Sequence, residues 1–338
     1  MNIQQRSKNI YFILLCTLTA ASVLMRSIAS FLFLSPYGYY TDALGAAANS
    51  TALFGFLILL TYAPLHRKDA SRRASFGGML TYIPAAPLAL CFVYMGASLL
   101  LRKAEGLLDK IAFPLLGILA IASAFYFFLA VFLEEKISDL RAIFGTVASL
   151  FLILYAGYLY FDPTLPINAT TKLCDQLAYI FAAIFFLFET RISLGRIRWN
   201  LYTAFGLVAS LLTAYSAIPS LLVYLFEGKM ISNSLEETLL TLLLSAYIIC
   251  RTLLSLMLKE ETPSQLMAAL LADAKARTDA VAADGPLPFE PKAEPPHEPE
   301  EKANVTEQEA HIAASEAEAG NTETKNAEEE ENEKDSDH

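Results

Sequence analysis

The sequence predicts an all-α fold: a polytopic integral membrane bundle of about eight transmembrane helices, followed by a disordered acidic C-terminal tail. The hydrophobic fraction is 55% and the mean hydropathy is +0.42, although the last 80 residues are polar. Residues 1–258 carry 13 acidic and 18 basic side chains, whereas residues 259–338 carry 22 and 7. The first region is therefore too apolar for a water-soluble globule and is typical of a bilayer-embedded chain.

Eight apolar runs predict the helices. An α-helix rises about 1.5 Å per residue and the hydrocarbon layer is about 30 Å thick, so a crossing needs about 20 apolar residues. The first run continues too far to be a cleaved signal peptide, and we expect it to remain as a helix. The runs are Ile10–Leu34, Ala43–Ala63, Phe76–Leu101, Ile111–Leu133, Ile143–Phe161, Leu173–Phe188, Leu201–Phe226 and Thr238–Leu258.

Basic residues between the runs predict the orientation, because Lys and Arg resist translocation. They cluster at the N-terminus and in the second, fourth and sixth loops, while the third loop is a mild exception. This pattern places both termini in the cytoplasm. Short loops and missing sorting signals favour a bacterial plasma membrane. The basic residues are Arg6, Lys8, Arg67, Lys68, Arg72, Arg73, Lys136, Arg141, Arg191, Arg196 and Arg198, with Arg102, Lys103 and Lys110 in the third loop.

The predicted organisation has three parts, of which residues 1–258 form the transmembrane bundle. Residues 259–284 are predicted to form a short cytoplasmic helix, because Thr262 and Gln265 have the spacing of a capping box. Residues 285–338 contain too few large apolar residues to offset chain entropy and are predicted to be a disordered acidic tail. Its run Glu328–Glu331 either only keeps the tail solvated or binds a basic cytoplasmic protein.

A weak repeat links the starts of predicted helices that follow cytoplasmic loops. Phe144-Gly145-x-Val-Ala-Ser-Leu recurs as Phe205-Gly206-x-Val-Ala-Ser-Leu, 61 residues later, and Phe76-Gly77 opens an earlier helix. Either one helical hairpin was duplicated, or residues common in membrane helices coincide by chance.

Arg26, Asn49 and Asp175 are the first candidate site residues, because lipid does not solvate polar groups within apolar runs. All three fall in the outer half of the predicted bilayer. One hypothesis is that they converge in a polar cavity, where Arg26 contacts an anionic ligand or pairs with Asp175. The alternative is that Arg26 extends to the outer head groups and Asp175 lies at the interface beside Lys172.

Glu189 and Arg251 form the second candidate site, near the cytoplasmic ends of the sixth and eighth predicted helices. We expect an ion pair between neighbouring helices, with a structural role.

An enzyme is not predicted, because the chain lacks the H-E-x-x-H, G-x-S-x-G, P-loop and G-x-G-x-x-G motifs. The four cysteines show no C-x-x-C spacing, and we expect no metal and no cofactor. Beyond the lipid bilayer, the expected partner is the basic cytoplasmic protein of the tail hypothesis, and no nucleic acid is expected.

Two functions remain open at this point. The first is a membrane-embedded interaction or regulatory protein that presents its acidic tail to cytoplasmic partners. The second is a transporter or channel for a small solute, anionic if Arg26 contacts it. Pro84, Pro87 and Pro219 are expected to kink or unwind their helices, and broken helices can line a substrate site.

Overall fold

The computed structural model describes residues 3–35, 37–66, 79–104, 106–132, 139–163, 165–194, 198–228 and 234–257. Over these ranges the chain is all-α, and its one β-bridge is an isolated pair in the first loop. The helices are α1 (Ile3–Phe33), α2 (Ala43–Leu60), α3 (Tyr62–Leu65), α4 (Met79–Leu101), α5 (Leu107–Phe132), α6 (Asp139–Phe161), α7 (Thr170–Ser193), α8 (Trp199–Glu227) and α9 (Leu235–Met257).

In the part of the chain that the structure describes, the eight predicted apolar runs coincide with helices. Within the described ranges, eight helical segments are long and apolar enough to cross a membrane, with α2 and the single turn of α3 counted together. Several helices begin three or four residues before the predicted run, as α6 does at Asp139 and α9 at Leu235. Hydropathy detects only the apolar part of a helix, whereas the backbone ladder continues through the polar turn at its end.

The predictions for the C-terminal region stay predictions. The short helix predicted for 259–284 and the tail predicted for 285–338 lie outside the described residues.

The proline expectation is corrected in part, because α4 continues as helix through Pro84 and Pro87, and α8 continues through Pro219. Membrane helices tolerate proline when their neighbours satisfy the freed backbone groups.

Six helices form a closed ring built from three helical hairpins. The hairpins are α4–α5, α6–α7 and α8–α9, and the ring closes because α5 packs on α6, α7 on α8, and α9 on α4. We call the end at which α4, α6 and α8 begin the basic end, because Arg141 and Arg198 lie there. We call the other end, at which α5, α7 and α9 begin, the opposite end.

The fourth hairpin, α1–α2, packs beside the ring, mainly against α8. A stripe of small residues on α2 is buried and includes Gly45, Ala48, Ala52 and Gly55. A Cβ atom added at Gly55 would lie 3.1 Å from the Leu211 side chain of α8. Small residues therefore let α2 approach α8 closely, as is common between membrane helices.

An aromatic layer fills the middle of the ring. Phe127 of α5 touches rings from three other helices, with centroid distances of 5.2 to 5.6 Å to its partners Phe92, Phe186 and Tyr247. Phe151 of α6 joins the layer through Phe92, at 5.5 Å. All five side chains are fully buried. The centre of the ring is thus packed with aromatic side chains.

Candidate functional site

Arg26 lies at the centre of a polar cluster near the opposite end. Its side chain is 0% exposed. Nε donates a hydrogen bond to the Tyr40 hydroxyl at 3.1 Å, and Nη1 donates to the Tyr215 carbonyl at 2.8 Å. The guanidinium also lies 4.5 Å from the centroid of the Tyr215 ring. Arg26 therefore turns into the protein, where a cation needs such acceptors.

Asn49 and Asp175 belong to the same cluster through neighbouring residues. The Asn49 amide oxygen accepts a hydrogen bond from the Tyr215 hydroxyl at 2.6 Å, and the Asp175 carboxylate accepts one from the Ser216 hydroxyl. The structure thus brings the three predicted residues together around two consecutive residues of α8.

The space beside this cluster differs from the predicted polar cavity. A pocket of about 340 Å³ lies between α2, α7 and α8, and its walls are mostly apolar. Asn49 and Tyr215 line it, whereas Arg26 and Asp175 are not part of its lining. The cluster therefore meets this pocket only at its edge.

A second cluster surrounds Glu189 at the basic end. Arg251 Nε lies 2.5 Å from Glu189 Oε1, and both side chains are buried. Hydroxyl groups of Tyr126, Tyr247 and Tyr202 donate to the same carboxylate at 2.8, 3.1 and 3.5 Å. The structure thus places the two predicted partners in contact and adds three donors. A buried ion pair requires such additional hydrogen bonds, since desolvation alone would disfavour it.

Arg141 adds a second cation near this carboxylate. It is buried, and its guanidinium lies 5.5 Å from the Tyr126 ring centroid. Sequence reasoning missed the tyrosine partners, although one signal was present. Tyr126, Tyr202 and Tyr247 lie inside or at the start of apolar runs, and a buried tyrosine hydroxyl needs a hydrogen-bonding partner.

A third cluster, also missed from the sequence, surrounds Glu237 at the opposite end. The Glu237 carboxylate accepts hydrogen bonds from the Tyr155 hydroxyl and, at 3.1 Å, from the Ser234 backbone N–H. In return the Glu237 N–H donates to Ser234 Oγ at 3.3 Å. This reciprocal pair is a capping box, and the sequence Ser234-Leu-Glu-Glu237 has its spacing. Tyr179 and Thr241 extend the cluster through a 2.8 Å hydrogen bond.

The hairpins α6–α7 and α8–α9 place matching positions in matching surroundings. Gly145 would meet Thr190 of its own hairpin if it carried a Cβ atom, and Gly206, 61 residues later, would meet Thr252 of its own. The clusters follow the same offset of 61 or 62 residues. The corresponding pairs are Tyr155 and Ser216, Asp175 and Glu237, Tyr179 and Thr241, and Glu189 and Arg251. The shared glycine–threonine contact and the common offset favour duplication of a hairpin over coincidence.

The clusters do not resemble a metal centre. Within the ranges that the structure describes, no group of three or more His, Cys, Asp or Glu side chains could hold a metal ion. Cys16, Cys91, Cys174 and Cys250 are all free.

Together, the eight apolar helices and their buried polar clusters indicate the class of multi-pass helical membrane proteins. Comparison of the chain with protein-family models, curated proteins and solved structures gives no match.

Proposed function

We propose that this chain is an interaction or regulatory protein of a bacterial plasma membrane, with both termini in the cytoplasm. In this proposal, the helix bundle is a rigid anchor. The acidic segment 285–338 is the part that contacts a basic cytoplasmic protein.

The aromatic layer is the observation that carries the proposal. A carrier or channel needs a polar path, or a site reachable from both sides, along its axis. Here Phe92, Phe127, Phe151 and Phe186 lie between the Glu189 cluster and the Glu237 cluster and are fully buried. The charges on both sides of the layer are engaged with partners inside the protein, which favours a structural role for them.

Charge supports the second half of the proposal. Residues 259–338 carry 22 acidic and 7 basic side chains, and a segment of one charge sign attracts partners of the opposite sign. Such attraction weakens as salt screens it.

The test compares three chains in native membranes: the full chain, a chain without residues 285–338, and a full-length chain in which Glu328–Glu331 and the other acidic residues of that segment are changed to Gln or Asn. We expect one protein to be cross-linked and co-purified with the full chain only, in a salt-dependent manner. The neutralised chain is the matched control for length.

A solute assay separates the alternative. The full and truncated chains are reconstituted into proteoliposomes and tested for uptake of small anions. Uptake that persists without residues 285–338 would contradict the proposal and establish the transporter hypothesis.

A further inference from the structure

The pocket between α2 and α7 has an apolar body. Both helices pack on α8 and leave a space of about 340 Å³, within the range of small-molecule pockets. The rings of Phe56 and Phe181 meet edge to face, with their centroids 5.2 Å apart, at the end of the pocket nearer the basic end of the bundle. Leu53, Leu173 and Leu177 form an exposed rim, so the pocket opens to the side of the bundle, where lipid would lie.

The other end of the pocket is polar and offers an unused donor. Asn49 uses its amide oxygen, which accepts from the Tyr215 hydroxyl at 2.6 Å and from Cys174 Sγ at 4.0 Å. Within the described part of the chain, its amide N–H groups donate to no acceptor. An unpaired amide donor costs free energy in apolar surroundings, so this end suits a ligand with an oxygen acceptor.

Behind the same end, the polar cluster holds the Arg26 guanidinium as well as the Asp175 carboxylate, which is bonded to Ser216. The Arg26 Nη2 atom is buried and has no acceptor among the described residues, while Nε and Nη1 are hydrogen bonded. The Tyr215 ring contacts the guanidinium and also lines the pocket. A buried guanidinium N–H without an acceptor costs free energy, and an anionic oxygen is the acceptor that it favours most, so the Arg26 side of this end suits a negatively charged group.

We propose that this pocket binds one acyl chain of an anionic phospholipid. The chain lies along the apolar walls towards Phe56 and Phe181. An oxygen at the head-group end accepts from the Asn49 amide, and the negative charge faces Arg26. The occupant comes from the surrounding bilayer, because the exposed rim opens sideways.

A second pocket on the same bundle provides an internal comparison. It has about 410 Å³ and lies between α1, α8 and α9. Among the residues that the structure describes, no charged side chain lines it. Its lining residues are Phe12, Leu15, Cys16, Thr19, Ala20, Val23, Ile218, Ile249 and Leu253. If the second pocket accepts an acyl chain, we therefore expect no preference between lipids with anionic and with neutral head groups.

The experiment uses the full chain in lipid nanodiscs doped with phosphatidylglycerol that carries a photoreactive diazirine on one acyl chain. Adducts are located by peptide mass spectrometry, and we expect them on the α2 and α7 residues of the pocket. Leu177→Trp, which fills the mouth, should reduce this labelling severalfold. Ile180→Trp is the matched control: Leu177 and Ile180 lie on α7 and are 44% and 38% exposed, but Ile180 is not part of the lining.

Head-group selectivity is tested with phosphatidylcholine carrying the same chain. We expect weaker labelling of the pocket by this probe and equal labelling of the second pocket by both probes. Arg26→Gln should remove the difference if that variant folds, whereas Asn49→Leu should weaken labelling by both probes, because both lipids carry acceptor oxygens. A free fatty acid that carries the same diazirine serves as a third probe. Three outcomes would overturn the proposal: equal labelling of the pocket by the two lipids, no effect of Leu177→Trp, or labelling of the pocket by the fatty acid but not by the phospholipid.

Discussion

At the scale of single residues, buried charges in this bundle are stabilised by aromatic hydroxyl groups. Glu189 accepts from three tyrosines as well as from Arg251, and Glu237 accepts from Tyr155. A tyrosine can supply a donor while its ring packs in the apolar interior. The polar clusters therefore disturb the packing between the six helices very little.

The Glu189–Arg251 pair is expected to be strongly coupled. Arg251→Met removes the cation in contact with the buried Glu189 carboxylate, leaves only Arg141 nearby, and should lower the free energy of unfolding by about 3–5 kcal/mol. Adding Glu189→Gln removes the charge but keeps an acceptor for the tyrosines, so the double variant should recover part of the loss. Unfolding of the purified variants in detergent, followed by circular dichroism, measures both effects. Losses that simply add would show that the pair is uncoupled.

At the scale of the helices, close contact depends on particular glycines. A Cβ atom at Gly96 of α4 would lie 2.7 Å from the backbone oxygen of Gly117 in α5. Backbone atoms cannot move aside as a flexible side chain can. By contrast, a Cβ atom at Gly157 of α6 would have no neighbour within 4 Å.

These two glycines give opposite predictions for the same substitution. Gly96→Ala should push α4 and α5 apart and lower the free energy of unfolding by about 1–3 kcal/mol. Gly157→Ala is the control and should leave stability unchanged or raise it by up to about 1 kcal/mol, because alanine favours helix. Thermal unfolding of both variants in one detergent tests the pair. A neutral Gly96→Ala would contradict the close approach of the helices.

The start of α9 depends on its capping box. Ser234→Ala removes the hydroxyl that accepts from the Glu237 N–H and should cost about 1 kcal/mol. Ser234→Asn keeps a capping acceptor and should cost less. Hydrogen exchange at the first turn of α9 is the measurement, and faster exchange in the alanine variant alone is the expected result. Equal exchange in both variants would exclude a capping role.

At the scale of the whole molecule, the sequence predicts where the helices lie along the chain better than it predicts which side chains meet between them. Length and hydropathy located all eight apolar segments, because crossing a bilayer imposes a fixed length. They did not reveal the tyrosine partners of Glu189, because Tyr126 and Tyr247 come from α5 and α9 and reach Glu189 only once the helices are packed together. Glu237 was missed because it was counted with the loop, although its capping box was visible at Ser234.

The same scale yields a prediction about topology, since an even number of crossings returns the chain to the side on which it began. In a cysteine-free variant, Ile167→Cys places a thiol at an exposed loop position between α6 and α7, and Ser336→Cys places one near the C-terminus. A membrane-impermeant maleimide should label Ile167→Cys in intact cells and label Ser336→Cys only after the membrane is opened. The basic end, with Arg141 and Arg198, would then face the cytoplasm, as basic loops require. If both thiols react in intact cells, the three helices α7, α8 and α9 between them cannot all cross the membrane, and the acidic segment cannot meet a cytoplasmic partner.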